Sequence, residues 1–447
     1  MIPATHRMSL EIFSALAEGM GGGAAIAQLA AVRRSRNLLL IRTLVDLATV
    51  VGHDDAPVVK DAYRTLSDIE KLAPGPVESV LNYPSVSAWV LRTVVLLHEG
   101  RLADAQPAQL AAVAASAAVR GAVATTVDLP VTDEGGCTVE LPSLGVATFP
   151  TSIREVILST TRSQTVLFGG DTRVEIPRNP YQNAPNWTGI RRISAECDGM
   201  RIRLLMDTLS SHYLPEIVTV HEHLFDQQVV DMWQTTIAAG WKVLVRNHRE
   251  VAAEVAAAHT MLVPLRGSVT GQVSVTLSDA FGCVAMSLPL DPRFTALTLA
   301  HEVQHAKLSV LMDLFPLMDQ RTGELFYAPW RDDPRPLTGL LQGTYAHFGV
   351  AAFWRRQRYR EEDAEKVWHA EVEFARWCEA SREVAHFLVS SRRLTLVGQK
   401  FVAGMLRVLD EWSTNHVSRP ALEIAQQFAE EHRKRWQQAH GQAHPLT

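Results

Sequence analysis

Cysteine is scarce in this 447-residue chain: Cys137, Cys197, Cys283 and Cys378 are the only four, and they lie far apart. This excludes a disulfide scaffold and a Cys-rich zinc module, and it fits a reducing, cytoplasmic setting. No apolar stretch runs unbroken for the ~20 residues that a membrane-crossing helix needs. The alanine-rich run from Ala103 to Val123 is interrupted by Asp104, Gln109 and Arg120. The opening MIPATHRMSLEIFSAL places Glu11 in its apolar part and lacks the ordered regions of an export signal. Neither a membrane nor export is expected. An excess of basic charge is missing too, since 43 Lys and Arg stand against 48 Asp and Glu, a formal net charge of −5. Nucleic acid is therefore not an expected partner. A P-loop, a dinucleotide fingerprint and a nucleophile elbow are also lacking.

What is present is an ordinary globular composition, 47% hydrophobic and 20% charged, which supplies enough apolar residues for a sizeable core. Apolar residues recur every three or four positions in LLLIRTLVDLATVV and in SVSAWVLRTVVLLHEG, so residues 1–123 read as a helical region. Residues 124–210 change texture: β-branched alternation with Gly, Pro and Asp punctuation predicts a β-rich insert. Residues 211–447 read as mainly helical, with short strands over 261–290. The expected class is α+β, predominantly helical. The polar tail from His432 is expected to fray.

One segment carries chemistry. Thr295 to Met312 lacks Gly and Pro and is apolar at helical spacing, yet it contains His301, Glu302 and His305 in the pattern H-E-x-x-H. Histidines four apart share a helix face, with Cβ atoms about 6 Å apart, so both imidazoles can reach one metal ion. Buried histidines without ligand or partner would be costly; two hydrogen-bonded core histidines are the alternative. Glu302 points about 100° away around the helix, as a candidate catalytic group or a partner to the ligands. A zinc peptidase would use Glu302 as base. The metzincin continuation is absent, because Leu308 and Leu311 occupy its positions. Glu324 would be the third ligand in that reading.

His347 offers a third imidazole, on the helix expected after the Pro-bounded loop Phe326 to Leu337. Three ligands on one face leave positions open for water, a cosubstrate and dioxygen. Glu302, Asp313 and Asp333 are the carboxylate substitutes for that third place. Arg335, set between two prolines, and Arg331 present planar forks suited to the distal carboxylate of 2-oxoglutarate; ion pairs with Asp332 and Asp333 account for the same residues. Trp330 and Tyr345 are candidates for substrate contact. The run Arg355 to Arg360 reads as a solvated helix face with a lesser claim to an acidic leader peptide. His221 and His223, two apart, would diverge on a helix.

The segments TLAHEVQHAKLSVLMDL, YAPWRDDPRPLTGLLQGTYAHFGVAAFW and SVTLSDAFGCVAMSL resemble the HEXXH-motif peptide-modification proteins of actinobacteria. The close likeness covers roughly Val269 to Trp354, under a quarter of the chain. It implies an iron(II)- and 2-oxoglutarate-dependent oxygenase that uses dioxygen to β-hydroxylate a ribosomal precursor peptide, within a fold unlike the double-stranded β-helix. It also implies His301 and His305 as iron ligands, His347 and Arg335 as their partners, and a radical SAM maturase as a neighbour in the same pathway. A zinc-dependent peptidase trimming such a peptide, or a non-catalytic scaffold presenting it, are the competing expectations.

Overall fold

A computed structural model describes residues 6–131, 137–207, 226–267, 273–275, 277–319 and 323–441. The N-terminal helices are α1 (Leu10–Ala17), α2 (Gly22–Val50), α3 (Ala56–Leu72), α4 (Pro74–Leu81), α5 (Pro84–His98) and α6 (Leu110–Gly121). Proline opens α4 and α5, where its missing N–H costs nothing and its fixed φ suits the first turn. The alanine run becomes α6, buried from Leu110 to Ala118. Its small side chains let it lie deep among its neighbours, and no single helix among the described residues is long and apolar enough to cross a membrane.

Alternating residues then build two antiparallel sheets. One joins β1 (Thr125–Leu129), β4 (Val156–Thr160), β5 (Thr165–Gly169) and β6 (Thr172–Ile176); the other joins β2 (Cys137–Leu141), β3 (Gly145–Phe149) and β7 (Trp187–Gly189). In β2, Cys137, Val139 and Leu141 face inward, as the period of two requires. The remaining strands of the β-rich segment, β8 (Arg191–Cys197) and β9 (Met200–Met206), form a hairpin. Its turn residues Asp198 and Gly199 both have positive φ, 44° and 77°, the twist that a two-residue hairpin favours.

That hairpin does not stay with the insert. β9 runs parallel to β10 (Met261–Leu265), and β10 parallel to β12 (Cys283–Ser287), with the short β11 (Ser274–Val275) antiparallel at the edge. Helices α7 (Gln227–Asn247) and α8 (Arg249–Ala258) bridge β9 to β10. The central strands β10 and β12 are buried along their whole length, as parallel strands covered on both faces are. Met261, Val263, Leu265, Cys283 and Ala285 enter the core of the N-terminal half. Leu262, Val284 and Met286 enter the core of the C-terminal half. The five-stranded sheet is thus the wall between two cores, and α2 passes from one to the other, with Ile26 and Leu29 in the C-terminal core and Ile41 and Leu44 in the N-terminal one.

Five helices complete the C-terminal half: α9 (Pro292–Leu314), α10 (Leu337–Gln357), α11 (Ala364–Ser390), α12 (Leu396–Ser413) and α13 (Arg419–His440). Asp291 caps α9 by accepting from the Arg293 amide, and Pro292 fills its first position. No sheet among the described residues closes as a barrel, and the α+β class holds. The tail is a correction: α13 continues to His440, because Ala421, Ala425, His432 and Trp436 form one buried stripe at helical spacing. His221 and His223 lie outside the described residues.

Candidate metal centre

Helix α9 is buried from Thr298 to Leu311 apart from His301 and His305, which are half-buried. Their four-residue spacing brings the two Nε2 atoms to 3.1 Å. Two nitrogens each bonded to one ion at ~2.0–2.1 Å lie roughly 2.8–3.4 Å apart for angles between a right angle and the tetrahedral one. The separation suits a shared ion and equally an N–H···N hydrogen bond between the two rings, the alternative expected for this pair.

The Nδ1 atoms of His305 and His347 are engaged elsewhere. His305 Nδ1 meets Gln342 Oε1 at 3.2 Å. The Gln342 amide nitrogen is directed to Ser309 Oγ at 3.3 Å and Met312 Sδ at 3.5 Å, and this network assigns its oxygen to the histidine. His347 Nδ1 donates to the Gly343 carbonyl one turn back on α10 at 2.9 Å, since a carbonyl can only accept. Both contacts put the proton on Nδ1 and leave the lone pair on Nε2, the arrangement by which outer partners orient metal-binding imidazoles. Burial, and then the neighbouring His305, hold the His301 imidazole well below its usual pKa. Burial, followed by His301, does the same to His347. Neutral imidazoles are the form that binds metal.

His347 lies 5.2 Å from His301 between ring centroids. It is stacked on Trp330 at 4.7 Å and 13°, with Trp377 of α11 at 4.7 Å on another side. Trp330 reaches this position because residue 343 is glycine; a Cβ there would overlap the indole. Among the described residues no three His, Cys, Asp or Glu are drawn together closely enough to hold an ion. The imidazoles of His301, His305 and His347 are of the right donor chemistry for a metal; the first two already stand close together, and His347 is not close enough to complete the group.

The other expected residues are placed differently. Glu302 is 2% exposed, and its charge acts on His259 and Cys283 at the sheet side of α9. Asp313 pairs with Arg33 at 3.2 Å and Arg36 at 3.7 Å. Glu324 is exposed in a loop. Arg331 and Arg335 both grip Asp333, at 2.6 and 3.0 Å, so the intramolecular ion pairs are present. Desolvation would raise the Asp333 pKa, but the hydrogen bonds from Arg331 and Arg335 hold it below the ordinary value. Tyr345 is corrected from a substrate contact to a core residue: it is fully buried and its hydroxyl donates to the Leu16 carbonyl. Two positions before His347, it points to the far side of α10. In the 355–360 run, Arg355 donates to Asn415 and stacks on Trp412, while Arg358 is buried against Phe374.

Gln342 and Trp377 were not anticipated. Gln342 carries no charge and no motif, and Trp377 reaches His347 only through the packing of α11 on α10. No family model matches the chain, and no curated protein matches it.

Proposed function

We propose that the chain is an iron(II)- and 2-oxoglutarate-dependent oxygenase that β-hydroxylates a side chain of a ribosomal precursor peptide, as the likeness to the HEXXH-motif peptide-modification proteins implies. The observation that carries this reading is the His301–His305 pair, whose Nε2 atoms stand 3.1 Å apart. His347 beside it donates its Nδ1–H to the Gly343 carbonyl, which leaves the lone pair on Nε2. Iron held by these three imidazoles would keep three positions for the 2-oxo acid and dioxygen. Bound there, iron would supply oxygen activation, in which one oxygen atom would enter the peptide and the other would enter succinate as carbon dioxide leaves.

The chain's own residues then orient and exclude water. Trp330 and Trp377 wall the third imidazole, and a dry aromatic wall keeps solvent from the reacting group. Arg335 would hold the distal carboxylate of the cosubstrate by exchanging it for Asp333. That pair is about half exposed, so giving it up costs little. The zinc peptidase reading is less well supported, because Glu302, its base, is buried beside His259.

The test incubates the purified chain with a precursor peptide encoded beside its gene, with iron(II), ascorbate, 2-oxoglutarate and air, or with zinc alone. The expected product is heavier by one oxygen, about 16 Da, and depends on 2-oxoglutarate. Shorter fragments formed with zinc would replace the oxygenase by the peptidase, and tight binding with no product would leave a scaffold.

A further inference from the structure

A groove of about 580 Å³ lies between α11 and α13, lined by Arg376, Phe428, Glu431, Lys434, Arg435 and Gln438. Three cations face one carboxylate there, in a chain whose net charge is −5. These cations are not consumed internally. Neither Arg376 nor Arg435 forms an ion pair among the described residues, and Lys434 has only a loose contact with Glu430 at 3.9 Å, both about 71% exposed. By contrast, Arg331 and Arg335 pair with Asp333, and Arg433 pairs with Glu383.

The groove is also shaped. The Arg376 guanidinium lies 4.3 Å from the Trp377 ring and 5.6 Å from that of Phe428. Stacking on aromatic faces holds its plane while its in-plane N–H groups stay available to a carboxylate. Phe428 is 40% exposed, an apolar contact beside the charges. From Phe428 to Gln438 the helix advances about 15 Å, the reach of four or five extended residues and too long for one small acid. Trp377 links this surface to the candidate centre, because its other neighbour is His347.

We infer that the groove between α11 and α13 docks an acidic stretch of the peptide substrate, with carboxylates on Arg376, Lys434 and Arg435 and an apolar side chain on Phe428. This rests on the peptide-modifying function proposed above, for which it names a substrate feature.

The test follows fluorescence anisotropy of a fluorescein-labelled, C-terminally amidated Glu-Asp-Glu-Asp-Leu peptide, and of its Gln-Asn-Gln-Asn-Leu counterpart, on the full chain. The acidic peptide is expected to bind and to weaken with salt, while the amide peptide does not bind. Lys434→Glu with Arg435→Glu, both at exposed positions, is expected to weaken binding about tenfold or more, and Lys434→Arg with Arg435→Lys to retain it. Unchanged binding by the reversed variant, or equal binding of the amide peptide, overturns the inference. Equal displacement by a short RNA of the same charge also overturns it, in favour of a general polyanion surface. The readout needs no turnover, so absence of hydroxylation with intact docking would sink the oxygenase and leave the groove standing.

Discussion

At His305 the imidazole is oriented by a neutral amide on another helix, Gln342, whose own nitrogen is held by Ser309 and Met312. Gln342→Leu is expected to weaken metal binding about 10- to 100-fold, read by competition with a chelator, whereas Gln342→Glu retains an acceptor and much of the affinity. Equal affinities in the wild type and the Leu variant would remove Gln342 from the site. That His301 and His305 meet on one helix face was legible from spacing alone. Gln342 was not, because a glutamine five residues before His347 has no signature until two helices pack. His248 supplies a pH-dependent prediction. Burial lowers its pKa to about 4, although it bonds Gln357 at 2.9 Å. The unfolded chain, near the ordinary ~6.5, binds the proton first as the pH falls. Its contribution is therefore complete above pH ~6.5 and is lost toward pH 4, by about 3 kcal/mol. Urea unfolding at pH 7.5 and 5 should show about 2 kcal/mol of that loss from His248, and His248→Gln should reduce the difference by that share while the buried His259 keeps its own.

Among the elements, α9 holds a charge that its sequence disguises. Lys307 is fully buried, and donates to Glu254 of α8 at 2.8 Å and to the Gly19 carbonyl at 2.9 Å. Glu254 in turn accepts from the Gly22 amide that opens α2. A lysine beside an H-E-x-x-H pattern reads as a surface residue; only the joining of α2, α8 and α9 puts it inside. Lys307→Met is expected to destabilise by about 3–5 kcal/mol, since it strands the Glu254 charge. Adding Glu254→Gln should recover part of this in thermal melts, and full stability of the single variant would contradict it. The strands β10 and β12 were legible as apolar runs within 261–290, but their shared parallel sheet with β9 was not, because pairing partners some 55 residues apart leave no local trace. The tail shows the opposite failure. A polar composition suggested fraying, yet His432 and Trp436 fall on one face, where the Tyr327 hydroxyl bonds His432 Nδ1 at 2.9 Å.

For the molecule as a whole, the five-stranded sheet feeds alternate residues into two cores and α2 runs through both, so neither half can be exposed without uncovering the wall. Tryptophans sit in each, Trp89 and Trp187 in one, Trp233, Trp241 and Trp354 in the other. Unfolding followed by far-UV circular dichroism and by tryptophan fluorescence should coincide in one transition; two separated transitions would show independently folding halves. The scarcity of cysteine suits the histidine centre proposed above, and none of the four cysteines is joined in a disulfide among the described residues. The most direct test of that centre is the visible spectrum of the protein titrated anaerobically with iron(II) and 2-oxoglutarate. A 2-oxo acid chelating a three-histidine iron through two open positions should give a charge-transfer band that requires both additions and disappears in His305→Ala. No band in the wild type, or an undiminished band in His305→Ala, would contradict the account.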